Sequence, residues 1–327
     1  MLAAIGGQIG ATPSQRLRFQ WNTTAAEWPV KCLVNGMRRN GLSRIGLPGL
    51  VVVLSIAAVA RAASTDLEQA EEAYQRTDYK ATLNTLLSVS PRNAAVYALI
   101  GKAYYMDGQY KNSTGWLEKA VVEDPRNSRY YDWLGRAYGR RAEESSFLTA
   151  LPYANKTRDS FEKAVALDPA NLEALDDLFE YYLQAPGIVG GGVDKAEGVA
   201  ARIGRLSEAE SHYALARLAQ KRKDLRVAER EFRKAMQLAP GDIGRVINLA
   251  VFLAQQGHYK ESDELFGRAA QIEPDSPKLM FARAAAYIQG GRNLEDARML
   301  LRQYAESPIT PDDPPRSEAS RLLQMSR

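Results

Sequence analysis

A motif closing on proline recurs along this chain, and its spacing limits what the chain can fold into. The segments Leu117-Glu-Lys-Ala-Val-Val-Glu-Asp-Pro125, Phe161-Glu-Lys-Ala-Val-Ala-Leu-Asp-Pro169 and Phe232-Arg-Lys-Ala-Met-Gln-Leu-Ala-Pro240 share one pattern. A fourth, Phe266-Gly-Arg-Ala-Ala-Gln-Ile-Glu-Pro274, follows the third after 34 residues. A unit of that length holds one supersecondary element, which buries its apolar face only by stacking on its neighbours. The expectation is one elongated array rather than two globular domains. Apolar residues at 45% and charged residues at 25% are ordinary globular usage and give no sign of a disordered chain.

The unit 94–127 shows the physics. Tyr97, Ile100, Gly101 and Tyr104 fall at i, i+3, i+4 and i+7, one face of a first helix. Asp107-Gly108-Gln109 makes the turn, where glycine permits the positive φ that ends a helix. Ser113, Leu117 and Ala120 line the inner face of a second helix, and Pro125 closes it. The small Gly101 and Ala120 let the two helices approach, and Tyr104 and Leu117 fill the space between them. Units 209–242 and 243–276 repeat this arrangement with Phe232 and Phe266 in the place of Leu117.

This pattern resembles the tetratricopeptide repeat, over roughly residues 65–305. The resemblance implies an all-α fold, a right-handed α-solenoid of tandem helix-turn-helix repeats. About six or seven repeats are expected over 63–305, with a Pro-rich loop and a capping helix over 306–327. Two central units are irregular. One carries about ten extra residues within 141–156; in the next the turn expands to Ala185-Pro-Gly-Ile-Val-Gly-Gly-Gly192. These irregularities resemble a subgroup of exported bacterial tetratricopeptide proteins.

The N-terminus reads as a targeting segment. Residues 1–36 show no periodicity and are expected to be a leader or a misassigned start, with Met37 the functional one. Arg38, Arg39 and Arg44 precede the apolar stretch Leu47–Ala60, and Ala60-Arg61-Ala62 supplies a small-x-small cleavage signature, so 37–62 is read as a signal peptide. The stretch is short for a membrane span. Export to a periplasm or cell envelope is expected, without membrane insertion after cleavage; the alternative is an anchor formed by an uncleaved 45–60 segment.

Removing 1–62 leaves 36 basic and 38 acidic residues, against 43 and 39 in the whole chain. The apparent basicity belongs to the leader, so the charge gives no footprint for nucleic acid. The single cysteine, Cys32, lies there too, so the remainder offers no disulfide or thiolate site.

Motifs for chemistry are missing. Gly190-Gly191-Gly192 precedes a helix near Val193, but no strand leads into it, no Gly-Lys-Ser/Thr follows, and Asp194 would repel a phosphate. His212 and His258, the only histidines, sit at unrelated repeat positions, one for packing and one for a turn. No Gly-x-Ser-x-Gly motif is present. No enzyme activity, cofactor or metal is expected.

The site that the resemblance implies is the concave groove lined by the first helix of each unit. Mapped onto this sequence it comprises Lys102, Tyr105 and Met106; Arg129, Asp132, Arg136 and Arg140; Glu173, Asp176, Glu180 and Gln184; Glu210, Tyr213, Arg217, Gln220 and Lys221; and Ile247, Val251 and Gln255. Charge alternates along it, which suits an extended peptide or protein partner, with charge setting register and Tyr105, Tyr213 and Met106 giving contact area. The clamp by which some relatives hold a terminal carboxylate is not matched, because Ala98 and Lys102 stand at its places. The function expected is a protein-interaction scaffold, with an accessory subunit that positions a partner enzyme as the alternative.

Overall fold

The computed structural model describes residues 65–309, 313–314 and 316–326. The leader and signal segment expected over 1–62, with Cys32, lie outside the described residues. The described chain is all helix: α1 over 65–75, α2 Tyr79–Ser88, α3 Ala94–Met106, α4 Tyr110–Glu123, α5 Ser128–Glu144, α6 Phe147–Leu167, α7 Leu172–Gln184 and α8 Val193–Ile203. Then come α9 Glu208–Lys221, α10 Leu225–Leu238, α11 Ile243–Gln255, α12 Tyr259–Ile272, α13 Pro277–Gln289, α14 Leu294–Glu306 and α15 Arg316–Met325.

Local chemistry sets the boundaries. Asn93, Asn171 and Ser207 cap α3, α7 and α9, each side-chain oxygen accepting a hydrogen bond from the backbone N–H three residues on. Pro125, Pro169, Pro240 and Pro274 follow the last residues of α4, α6, α10 and α12 and stop them. Between first and second helices, Gly108 and Gly257 take φ of 77° and 78°, the left-handed conformation the turn needs.

From α3 to α14 each odd-numbered helix packs on the next even one, and successive pairs stack on one another, so that the described residues form a solenoid of helical hairpins. The close approach expected within a hairpin is present. A Cβ added to Gly101 would lie 2.6 Å from Leu117 Cγ, and one added to Gly135 would lie 2.6 Å from the Phe161 ring. In later hairpins alanine takes this place: Ala216, Ala250 and Ala284 are fully buried beside Phe232, Phe266 and Leu301. The cores run on from hairpin to hairpin rather than closing within one.

The two irregular units form one feature. The extra residues lengthen both helices of the third hairpin, to 17 residues in α5 and 21 in α6, so this hairpin stands proud of its neighbours. The Gly-rich turn folds against its side. Tyr181 Oη donates to the carbonyls of Val189 and Ala154 at 2.7 and 2.9 Å, and Val189 is buried there. Gly191 is packed so tightly that a Cβ would sit 1.9 Å from the Ala185 oxygen. The glycine run is thus a close-packed turn.

Gly101→Val is expected to destabilise the chain by about 1–3 kcal/mol, the usual cost of overpacking, because Leu117 and its backbone leave no room. Urea unfolding checks this; an unchanged midpoint would show that the α3–α4 contact is softer than its geometry.

Candidate partner-binding groove

The first helices α3, α5, α7, α9 and α11 lie side by side, and the residues expected to line the groove meet mainly one another. Arg136, buried on α5, pairs with Asp132 at 3.0 Å on its own helix, and with Asp177 at 2.5 Å and Glu173 on α7. Arg217 on α9 makes a bidentate pair with Glu180 on α7, at 3.1 and 2.8 Å. Arg245 on α11 reaches back to Glu210 on α9 and lies 3.5 Å from Asp242. Gln220 and Gln255 join α9 to α11 at 2.9 Å. The alternating charge is therefore a ladder of lateral contacts between first helices. A bidentate guanidinium–carboxylate pair fixes geometry as well as charge.

Several expected contact residues are core instead. Met106 packs with Ile100 and Leu86 in the N-terminal core. Tyr213 is buried edge-on against Phe232 at 5.7 Å, with the Arg245 guanidinium 4.9 Å over its ring. Ile247 and Val251 are also buried. Each sits on a flank of its first helix that a neighbouring hairpin covers, a flank that the repeat register alone does not separate from the open face. Arg129 and Lys221 are exposed, as a groove lining requires, and Asp176 and Gln184 are half-buried. Arg140 turns to the C-terminal helix, pairing with Glu318 at 2.6 Å.

Sequence reasoning missed Asp177, Asp242 and Arg245. The signal was available in the spacing: the ladder joins opposite charges 37, 37 and 35 residues apart, one repeat plus a small offset.

What remains open on this face is its N-terminal end. A cleft of about 690 Å³ lies between α1 and α3, lined by Glu68, Glu71, Glu72, Gln75, Leu99 and Lys102 among others. The Lys102 ammonium stands 5.1 Å over the Trp133 ring. Burial brings its pKa down to about 8, with Glu173 opposing the fall and Arg136 and Arg129 adding to it. Tyr105 packs edge-on between Tyr110 and Trp133 at 5.4 and 5.5 Å, and burial pushes its hydroxyl up to about 12.

Neither histidine supports chemistry. His212 Nδ1 lies 2.7 Å from Glu231 Oε2, a contact between the helices of one hairpin, and His258 precedes α12 in its turn. Among the described residues no group of three or more His, Cys, Asp or Glu converges as a metal site. No described helix is long and apolar enough to cross a membrane.

The family model for the tetratricopeptide repeat matches residues 209–242, which span α9 and α10. The described residues form an all-α solenoid of tetratricopeptide-like hairpins. Among solved structures it is similar to a tetratricopeptide repeat protein from Parabacteroides merdae, with a TM-score of 0.54 and 14% identity over 81% of this chain and 99% of that one. It is also similar to a thermophilic tetratricopeptide protein of Thermus thermophilus, with a TM-score of 0.49 and 19% identity over 58% and 98%. No curated protein matches the sequence. Against the regular tetratricopeptide unit, this chain differs in its proud third hairpin and packed Gly-rich turn.

The acid cluster around Arg136 makes stability depend on pH. Asp132 is buried, and its Oδ1 has no hydrogen-bond partner. Burial holds its carboxyl well above the usual carboxylate range; Arg136 opposes this, and Asp177 and Glu173 reinforce it. A raised folded-state pKa gives stability that is present below the unfolded value and lost as pH rises through the folded one. Asp132→Asn, which keeps a donor for Asp177, is therefore expected to gain stability relative to the parent between about pH 4 and pH 7. Chemical unfolding at both pH values checks this, and a difference that shrinks with pH would contradict it. Arg136→Ala leaves three clustered carboxylates without their cation and is expected to cost about 3–5 kcal/mol at neutral pH.

Proposed function

We propose that this protein is a non-catalytic scaffold that binds a protein or peptide partner along its concave face, entering at the N-terminal cleft. The observation that carries this is the contrast within the face itself. From α5 to α11 the buried Arg136, Arg217 and Arg245 are met by carboxylates of neighbouring first helices, whereas between α1 and α3 the lining of Glu71, Glu72, Gln75 and Lys102 surrounds an open cleft. A solenoid gains its stability from neighbour contacts and leaves such a face for recognition. Arg129, further along on α5, and Lys221, at the end of α9, extend the exposed lining. Glu173, Glu180, Asp132, Arg136 and Arg217 then serve the partner by fixing the spacing of the helices rather than by direct charge, and the half-buried Asp176 lies beside them on α7. Tyr74 and Leu99 add apolar surface to the cleft, and Trp133 lies beneath the Lys102 ammonium.

The setting proposed is a bacterial periplasm or envelope. Its support is the basic segment, apolar stretch and small-x-small site of residues 37–62.

A photo-crosslinking residue at Lys102 is expected to capture polypeptide from an extract of the native host, and the same residue at Arg226, exposed on the second helix of its hairpin, is not. Equal capture at both positions, or none at Lys102, would sink the groove reading. Intact mass of the protein recovered from the envelope fraction is expected to begin at Ala63; a mass retaining Met37 or Met1 would overturn the export reading and leave the groove reading standing.

A further inference from the structure

The C-terminal helix α15 touches both ends of the array, and its two sets of contacts differ in kind. On its own end it is held by apolar burial. Ala319 and Leu322 are buried in one cluster with Leu301, Tyr304 and Ile309, and Arg298 binds the Ser326 carbonyl. Toward the N-terminal end polar contacts stand out. Glu318 Oε1 meets Arg140 Nη2 of α5 at 2.6 Å, and both side chains are largely buried. Arg316 Nη1 donates to Thr77 Oγ1, in the turn between α1 and α2, at 3.1 Å. Ser317 Oγ lies 3.8 Å from where a Cβ on Gly108 would stand, in the turn between α3 and α4. The last helix of the chain therefore sits on the turns of the first two hairpins and on α5 of the third.

Thr77 is the second observation. Its φ is 58°, in the left-handed region that a β-branched residue adopts only under strain. The corresponding turns of other hairpins use Gly108 and Gly257, and Lys223, unbranched at Cβ, takes a φ of 65° between α9 and α10. Glycine would relieve the strain here as well, but it has no hydroxyl to meet Arg316. Arg316 is itself preset by its own end of the chain, donating to the carbonyls of Ala305 and Ser307 at 2.9 Å each. The arginine is thus oriented before it reaches Thr77, and its acceptor is a residue poorly suited to the turn on local grounds.

We infer that α15 with Arg140 and Thr77 is a reversible clasp that holds the solenoid closed on itself, and that its release widens the concave groove for a partner. The inference rests on the groove reading for its purpose, but not for its test. Apolar contacts keep α15 with α13 and α14 whether the clasp is open or shut. The bridge between the ends centres on the Arg140–Glu318 pair and the Arg316–Thr77 hydrogen bond, and on opening both charges of the pair regain the water that burial denies them. The concave face then changes its width by bending spread over the stacked hairpins, without unfolding any of them.

The test uses the full chain with Cys32→Ser, spin-labelled at Lys80→Cys on α2 and Gln324→Cys on α15, both exposed positions. The parent is expected to give one narrow distance distribution. Glu318→Arg is expected to move the distribution outward by at least about 10 Å, one helix diameter, and to raise the radius of gyration measured by X-ray scattering. Thr77→Gly, which relieves the turn, is expected to leave the melting temperature unchanged or higher while populating the same longer distance. Distances unmoved in both variants, or ends that separate with no rise in radius of gyration, would overturn the clasp. Because no partner enters these measurements, their failure is distinct from failure of cross-linking at Lys102.

Discussion

Lateral pairing of buried arginines with carboxylates is the constraint on which the concave side of this molecule depends. Packing of Leu117, Phe161, Phe232 and Phe266 against glycine or alanine makes each hairpin, but apolar contacts alone tolerate sliding between hairpins. Arg136, Arg217 and Arg245 do not. Each guanidinium is more than nine-tenths buried and meets a carboxylate on a neighbouring first helix. A buried ion pair is poor evidence for net stability, since desolvation offsets much of the attraction. Its value here is positional: only one offset between neighbouring helices brings the fork and the carboxylate together.

That same chemistry explains which parts of the groove were legible in the sequence. The hairpins, their turns and their proline stops could be read, because glycine, proline and period-3.6 patterning act locally. The groove-facing positions could be placed only by register within the repeat, and register does not distinguish a charge facing solvent from one facing the next helix. Arg136 and Arg217 belong to the second kind, and Lys221 and Arg129 to the first. Tyr213 and Met106 were hidden for a related reason. A large side chain at the edge of a helix face is covered or left open according to the volume of the adjoining hairpin, which its own unit does not encode. The contacts of Arg140 and Thr77 with α15 were beyond local reading altogether, since 178 and 239 residues separate the partners.

The irregular centre now has a structural role. The lengthened α5 supplies Glu143, which pairs with Arg140 at 2.6 Å beside the contact of Arg140 with Glu318 of α15. On its other flank the Gly-rich turn is pinned by Tyr181 and by Arg158, whose Nη1 lies 3.3 Å from the Val189 carbonyl. Neither departure from the repeat is loose chain. Each adds a contact that a regular unit has no atoms to make.

Closure on α5 also removes a freedom that most stacked arrays possess. Because each unit of a solenoid touches only its neighbours, units can ordinarily be duplicated or lost, and the product is simply a longer or shorter array. Here the first and last hairpins must arrive at the same place. One extra hairpin between α7 and α12 would carry Glu318 and Arg316 past Arg140 and Thr77, and one fewer would leave them short. A helix that touches both ends therefore counts the repeats between them, so the number of hairpins is itself a specified dimension of the molecule.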